Sequence, residues 1–118
     1  MQSSTKEKGD RGEELAVSFL VNKGFEIIER NYRYGKGELD IIARYEGFLV
    51  FVEVKSRESL DYGFPEEAIT RKKITQIRRI AEGYLAEKNI TDENIRFDVV
   101  AILFLNNEVS INHYENAF

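Results

Sequence analysis

Asp40, Glu53 and Lys55 have the residue types and the spacing to hold a divalent cation and work on a phosphate. Strand side chains alternate, so in residues 49–55 Leu49, Phe51, Glu53 and Lys55 share one face and Val50, Val52 and Val54 the other. The first face begins apolar and ends on a carboxylate and an amine, which is costly to bury unless the charges pair or bind something. Glu46 and Gly47 read as a two-residue hairpin tip, although Glu is not the favoured first residue of such a turn. Pairing Tyr45 with Phe48 then sets Asp40 directly opposite Glu53, and Glu38 opposite Lys55. Opposed side chains have Cβ atoms about 4.5–5.5 Å apart, a distance at which two carboxylates repel unless a proton or cation intervenes. Mg²⁺ suits such oxygen ligands, since it is held by one or two carboxylates with waters and substrate phosphates. Lys55 beside it could orient a water or offset charge on a phosphate under attack. The competing reading is a surface salt-bridge cluster of Glu38, Asp40, Glu53 and Lys55.

Other charged residues extend the constellation. Glu13 lies in a helical pattern on the same side as Ala16, Val17 and Leu20, with Gly9 and Gly12 just before it allowing a close backbone approach; it is a candidate fourth acid. An acid at that position is also favoured by the helix dipole alone. Arg71, Lys72, Lys73, Arg78 and Arg79 gather positive charge on one helix, with Arg71 and Arg78 about two turns apart on one side and Lys72 and Arg79 facing outward. With Arg30, Arg33, Lys36 and Arg57 they could form a phosphate-contacting rim; the alternative for each is a solvated helix or strand face. Asp98 is expected to cap or pair locally, and His113 to be incidental.

The elements that must position these residues follow from periodicity. Residues 10–23 are helical, with Gly24 as a C-terminal cap. Strands are expected at 25–33, 39–45 and 48–55, with a turn at 34–37. A loop over 56–65 holds the single proline. Helix follows, weakly from Glu66 and clearly over 70–87, with an apolar stripe of Ile74, Ile77, Ala81, Tyr84 and Leu85. The nearly continuous apolar run 97–105 suits a central strand buried on both faces, and 109–114 a short last strand. The order αβββαββ places the third and fourth strands parallel across a right-handed helical crossover, giving an α/β fold with a mixed sheet flanked by helices.

Composition bounds the rest. At 118 residues, 42% hydrophobic and 32% charged, the chain fits a single globular domain, expected over 9–118 after a flexible tail at 1–8. There is no cysteine and one histidine, which excludes disulfides, thiolate metal sites and His-rich zinc sites. No apolar run approaches a membrane span and the N-terminus carries no signal segment, so a cytoplasmic location is expected, without membrane contact. The net charge of −4 argues against a passive nucleic-acid binder, an objection that weakens if some acids ligate a cation.

The motifs resemble the bacterial YraN family: Gly9, Gly12, Glu13 and Ala16; Gly37-Glu38-Leu39-Asp40-Ile41-Ile42-Ala43; Leu49-Val50-Phe51-Val52-Glu53-Val54-Lys55 with Arg57; Gly63, Pro65, Glu67 and Ala68; and Arg96-Phe97-Asp98-Val99-Val100-Ala101. The resemblance covers nearly the whole chain after the tail. That family looks like a branch of the PD-(D/E)xK nucleases, near the Holliday junction resolvases and restriction endonucleases. The likeness implies a restriction-endonuclease-like fold and Mg²⁺ or Mn²⁺ bound by Asp40, Glu53, the Val54 carbonyl and Glu13, with Lys55 as catalytic lysine. It implies an endonuclease that hydrolyses phosphodiester bonds, with branched DNA as one candidate substrate, and leaves a homodimer open. Leu39 stands at the nominal proline, and Tyr45 where many relatives carry an acid. The alternative function is a non-catalytic nucleic-acid-binding accessory in DNA processing.

Overall fold

The computed structural model describes the backbone of residues 5–118 and the side chains of residues 11–118. Of the tail expected at 1–8, residues 1–4 lie outside the described residues. Helix α1 runs Thr5–Lys23, five residues earlier than the expected start. It ends in a Schellman motif: Phe25 N–H donates to the Leu20 carbonyl and Gly24 N–H to that of Val21, both at 3.0 Å. Gly24, at φ +106°, takes the left-handed position this motif needs.

Three antiparallel strands follow, β1 (Glu26–Tyr34), β2 (Gly37–Tyr45) and β3 (Phe48–Arg57). Glu46 (φ +47°) and Gly47 (φ +84°) close the β2–β3 hairpin with both central residues left-handed, and Tyr45 pairs with Phe48 as expected. A 3₁₀ turn (Pro65–Ala68) occupies the weakly helical stretch. Helix α2 then runs Arg71–Glu87, capped by Thr70, whose hydroxyl accepts from Lys73 N–H at 3.2 Å. Strand β4 (Asn94–Leu105) lies parallel to β3, and β5 (Glu108–Tyr114) returns antiparallel to it.

The five-stranded sheet has the order β1-β2-β3-β4-β5. The αβββαββ order and α/β class hold, and the architecture is consistent with a restriction-endonuclease-like fold. Each sheet face has its own core. Ala16 and Leu20 of α1 pack with Ile41, Ala43, Val50, Val52, Val100 and Ile102. Ile77, Ile80, Ala81 and Tyr84 of α2 pack with Tyr32, Leu39, Ile42, Leu49 and Phe51. Burial on both faces explains the unbroken apolar sequence of the middle strands. Among the described residues no helix is long and apolar enough to cross a membrane.

The alternation of β2 breaks where the chemistry is expected. Leu39 and Ile42 belong to the α2 side but Ile41 and Ala43 to the α1 side, so one residue, Asp40, marks a change of face. Strand β1 breaks at the same level. Arg30 reaches the α1 acids and Tyr32 joins the α2 core, while Asn31 between them is left-handed at φ +54°.

Candidate active site

The break in alternation opens a gap beside Asp40. Pairing of β2 with β3 runs from Tyr45–Phe48 to Ile41–Val52 and stops there. Asp40 is therefore not a regular cross-strand partner of Glu53, as simple counting of the hairpin predicts. Its carboxylate Oδ2 instead accepts from Val54 N–H at 2.8 Å, replacing the missing ladder bond. The N–H and C=O of one strand residue point to the same side, so the Val54 carbonyl also faces this gap. Glu38 is a second departure: it pairs with Arg33 of β1 at 3.3 Å, so the expected Glu38–Lys55 opposition is not formed.

Glu53 and Asp40 nevertheless come together. Glu53 is 3% exposed, on the α2 face of β3 beyond Leu49 and Phe51. Burial first, and the Asp40 charge second, push its carboxyl up to about 8, against smaller opposing effects of Lys73 and Lys55. The Lys73 ammonium from the first turn of α2 stands 3.8 Å from Glu53 Oε1. Oε2 has no hydrogen-bond partner. Lys55, two residues on and half-buried, shares this face by alternation. Arg57 follows on it, and its Nε is also buried without a partner, while Nη1 donates to the Ser56 carbonyl at 3.4 Å. Among the described residues, Glu53 Oε2 and Arg57 Nε are the only buried side-chain polar atoms left unsatisfied. Both belong to the C-terminal end of β3, on one face of the strand.

Glu13 borders the site and is already engaged. Gly12 brings α1 against the end of β3; a Cβ there would stand 3.1 Å from Ser56 Oγ. The Arg30 guanidinium holds Glu13 at 3.3 Å and the neighbouring Glu14 at 2.7 Å. Burial and the nearby Asp40 charge raise the Glu13 carboxyl, against the opposing pull of Arg30. Among the described residues no group of three or more His, Cys, Asp or Glu side chains converges as a metal cluster. The carboxylates of Asp40 and Glu53 do come together, and strand geometry turns the Val54 carbonyl to the side on which its N–H meets Asp40. They are all hard oxygens, and the unpartnered Glu53 Oε2 is the atom a cation would satisfy, so the residues fit Mg²⁺ or Mn²⁺ with waters completing the shell.

The basic candidates divide. Arg71, Lys72 and Arg79 are exposed, and Lys72 and Arg79 line a hollow of about 480 Å³ with Thr75 and Gln76. Arg78 is exposed but packs over the rings of Phe97 and Phe118, at 6.0 and 5.7 Å. Arg30 and Lys73 are committed to acids.

Asp98 and His113 carry more than the sequence suggested. Asp98 accepts from Arg96 Nε and Nη2, both at 2.9 Å, and from Asn116 N–H at 3.0 Å. His113, whose side chain is 2% exposed, bonds Asp98 Oδ2 through Nε2 at 2.7 Å and Lys23 Nζ through Nδ1 at 2.8 Å. It is not incidental but ties β5 to β4 and to the end of α1. The available signal was its alternation with the apolar Ile111 on β5.

Residues 12–102 match the uncharacterised protein family UPF0102, a span holding every acid and lysine of the site. A UPF0102 protein of Clostridioides difficile (strain 630) is 46% identical over 115 residues, covering 98% of this chain and 99% of its own. One from Persephonella marina (strain DSM 14350 / EX-H1) is 46% identical over 111 residues, covering 94% and 92%. One from Dictyoglomus thermophilum (strain ATCC 35947 / DSM 3960 / H-6-12) is 46% identical over 100 residues, or 85% of each chain. The chain belongs to the UPF0102 family, the family of YraN that its motifs resemble.

Proposed function

We propose that this protein is a Mg²⁺- or Mn²⁺-dependent endonuclease that hydrolyses phosphodiester bonds in DNA, branched DNA among the candidates. The observation that carries the reading is Glu53: a buried carboxylate with a free oxygen, beside a second carboxylate, at the open end of a hairpin. A purely structural carboxyl so deeply buried would have both oxygens bonded, because a buried polar atom left without a partner costs roughly 1–3 kcal/mol. Asp40 and Glu53, with the Val54 carbonyl, would hold the cation. When bound, the cation supplies charge stabilisation at the scissile phosphate and lowers the pKa of water. Lys55 keeps its stem against the apolar strand and its ammonium toward the site, where it orients the attacking water and offsets phosphate charge. Arg57, Arg71, Lys72 and Arg79 contact neighbouring phosphates and set position without reading bases.

A second reading draws on the engagement of Glu13 by Arg30, which leaves Asp40 and Glu53, among the described residues, as the only two acids of the site not held by an arginine. It is a nucleic-acid-binding accessory of the same fold that binds but does not cleave. Turnover separates the two. Lys55→Met retains the stem and removes the charge. Single-turnover cleavage of single-stranded, duplex, flap and four-way DNA with Mg²⁺ or Mn²⁺ should fall about 10²-fold or more, with DNA affinity and thermal stability little changed. Absence of cleavage of every substrate by the wild type would favour the accessory reading. Full activity in the variant would remove Lys55 from the chemistry.

A further inference from the structure

The pairing of Lys73 with Glu53 is only half made. Its ammonium lies 3.8 Å from Oε1, beyond hydrogen-bond length, and Oε2 has no partner. Lys73 is the third residue of α2, with its backbone fixed by the Thr70 cap, so only its long stem is free to move. A lysine is a compact charge on a flexible stem and can leave one anion for another, whereas a bidentate arginine holds its carboxylate. The chain uses arginine where it fixes a buried acid, at Arg96 on Asp98, and lysine here.

We infer that Lys73 is an exchangeable counter-ion, which stands beside Glu53 until a divalent cation takes its place and then turns to the phosphate of a bound nucleic acid. The inference rests on the metal-site reading above and extends it to the order in which the ligands bind. Lys73 and a divalent cation compete for one carboxylate, and their like charges repel at a few ångströms. Once displaced, Lys73 needs a new anion. The first turn of α2 also carries exposed Arg71 and Lys72, so the released ammonium joins an existing basic edge. Metal arrival then strengthens nucleic-acid binding by a charge that the metal-free protein uses on itself. Lys73 is in this sense a binding residue whose charge becomes available only when the cation holds Glu53.

The test is a thermodynamic coupling measured without turnover. All proteins carry Lys55→Met so that DNA stays intact. Affinity for a fluorescently labelled four-way DNA junction is measured with and without Mn²⁺, in that background alone and with Lys73→Met or Lys73→Arg added. Mn²⁺ binding is followed by calorimetry and folding by thermal unfolding. The expected result is that Mn²⁺ tightens DNA binding less in Lys73→Met, the gain shrinking by about tenfold, the scale of one charge-assisted hydrogen bond. Mn²⁺ binding itself should persist in Lys73→Met, and Lys73→Arg, whose bidentate fork holds the carboxylate, should not restore the gain. Equal weakening with and without Mn²⁺ would make Lys73 a standing phosphate ligand and overturn the exchange. No change in either condition would make it a structural counter-ion and overturn it too. Failure of the protein with Lys73 intact to bind Mn²⁺ would instead sink the underlying metal site.

Discussion

Two buried carboxylates sit on neighbouring strands, on opposite faces of the sheet, and the chain around them treats them very differently. Asp98 on β4 is 0% exposed and Glu53 on β3 is 3% exposed. Burial raises both, yet the Asp98 carboxyl ends below its usual 3.8, because hydrogen bonds from His113, Arg96 and the Asn116 N–H outweigh burial. Glu53 ends at about 8, because burial and then the charge of another acid, Asp40, raise it, and the lysines oppose this only in part. The Arg96 guanidinium on Asp98 is itself covered by the rings of Phe25, Tyr45 and Phe48, at 5.8, 5.6 and 5.3 Å. Every oxygen of Asp98 is met by this protein. Glu53 keeps one that is not. A satisfied buried charge holds strands together, and an unsatisfied one is a candidate place for a ligand.

Disrupting the satisfied member should give the largest effect on stability. Asp98→Ala strands Arg96 and His113 and leaves the Asn116 N–H without its acceptor. The expected loss is roughly 3–5 kcal/mol in urea unfolding, the scale for removing one partner of a buried pair. A loss no larger than that of a surface change would mean that the network is ornamental and the contrast false.

The same contrast predicts opposite pH dependences. Asp98, lowered in the folded state, contributes stability that is present above 3.8 and lost as pH falls through its folded value. Glu53, raised in the folded state, contributes stability that is complete below 4.5 and lost as pH rises through about 8. In metal-free protein, Glu53→Gln should therefore gain on wild type between pH 5 and 9 by something on the order of 4 kcal/mol. Unfolding curves at those two pH values check this, and a pH-independent difference would contradict the raised carboxyl.

A smaller effect is expected at the basic edge, which is proposed to serve affinity alone. Lys72→Ala with Arg79→Ala should weaken binding similarly across DNA sequences and reduce the salt slope by roughly 1 for each phosphate no longer neutralised. An unchanged slope would move the DNA path away from α2.

How far the sequence foretold this contrast differs between its two halves. Period and register were local properties. The alternation of residues 48–55, the two-residue tip at Glu46 and Gly47, and the apolar run of β4 led directly to the hairpin and the parallel crossover. Asp40 near Glu53 followed from the same counting. The detail did not, because the ladder stops after Ile41–Val52 and Asp40 bonds the Val54 N–H instead. That departure coincides with left-handed Asn31 at the same level of a third strand, and hairpin counting has no knowledge of β1. Lys73 looked like one more surface cation until α2 was laid against the end of β3. His113 looked incidental since its partners, Lys23 and Asp98, lie 90 and 15 residues away. Long-range polar networks leave no periodic trace, while apolar faces do.

The proposed chemistry stands or falls with Asp40 and Glu53 holding a divalent cation together. Calorimetric titration of Mn²⁺ into the wild type and into Asp40→Asn, each with and without DNA at one pH, tests this without intermediaries. Asp40→Asn keeps the side chain's shape and an oxygen acceptor for the Val54 N–H, so the hairpin should stand, as thermal unfolding will check. Saturable binding is expected in the wild type, with a loss of about tenfold or more in the variant, the scale of one charged ligand. Equal binding by the two proteins, or none by either with or without DNA, would contradict a shared metal site.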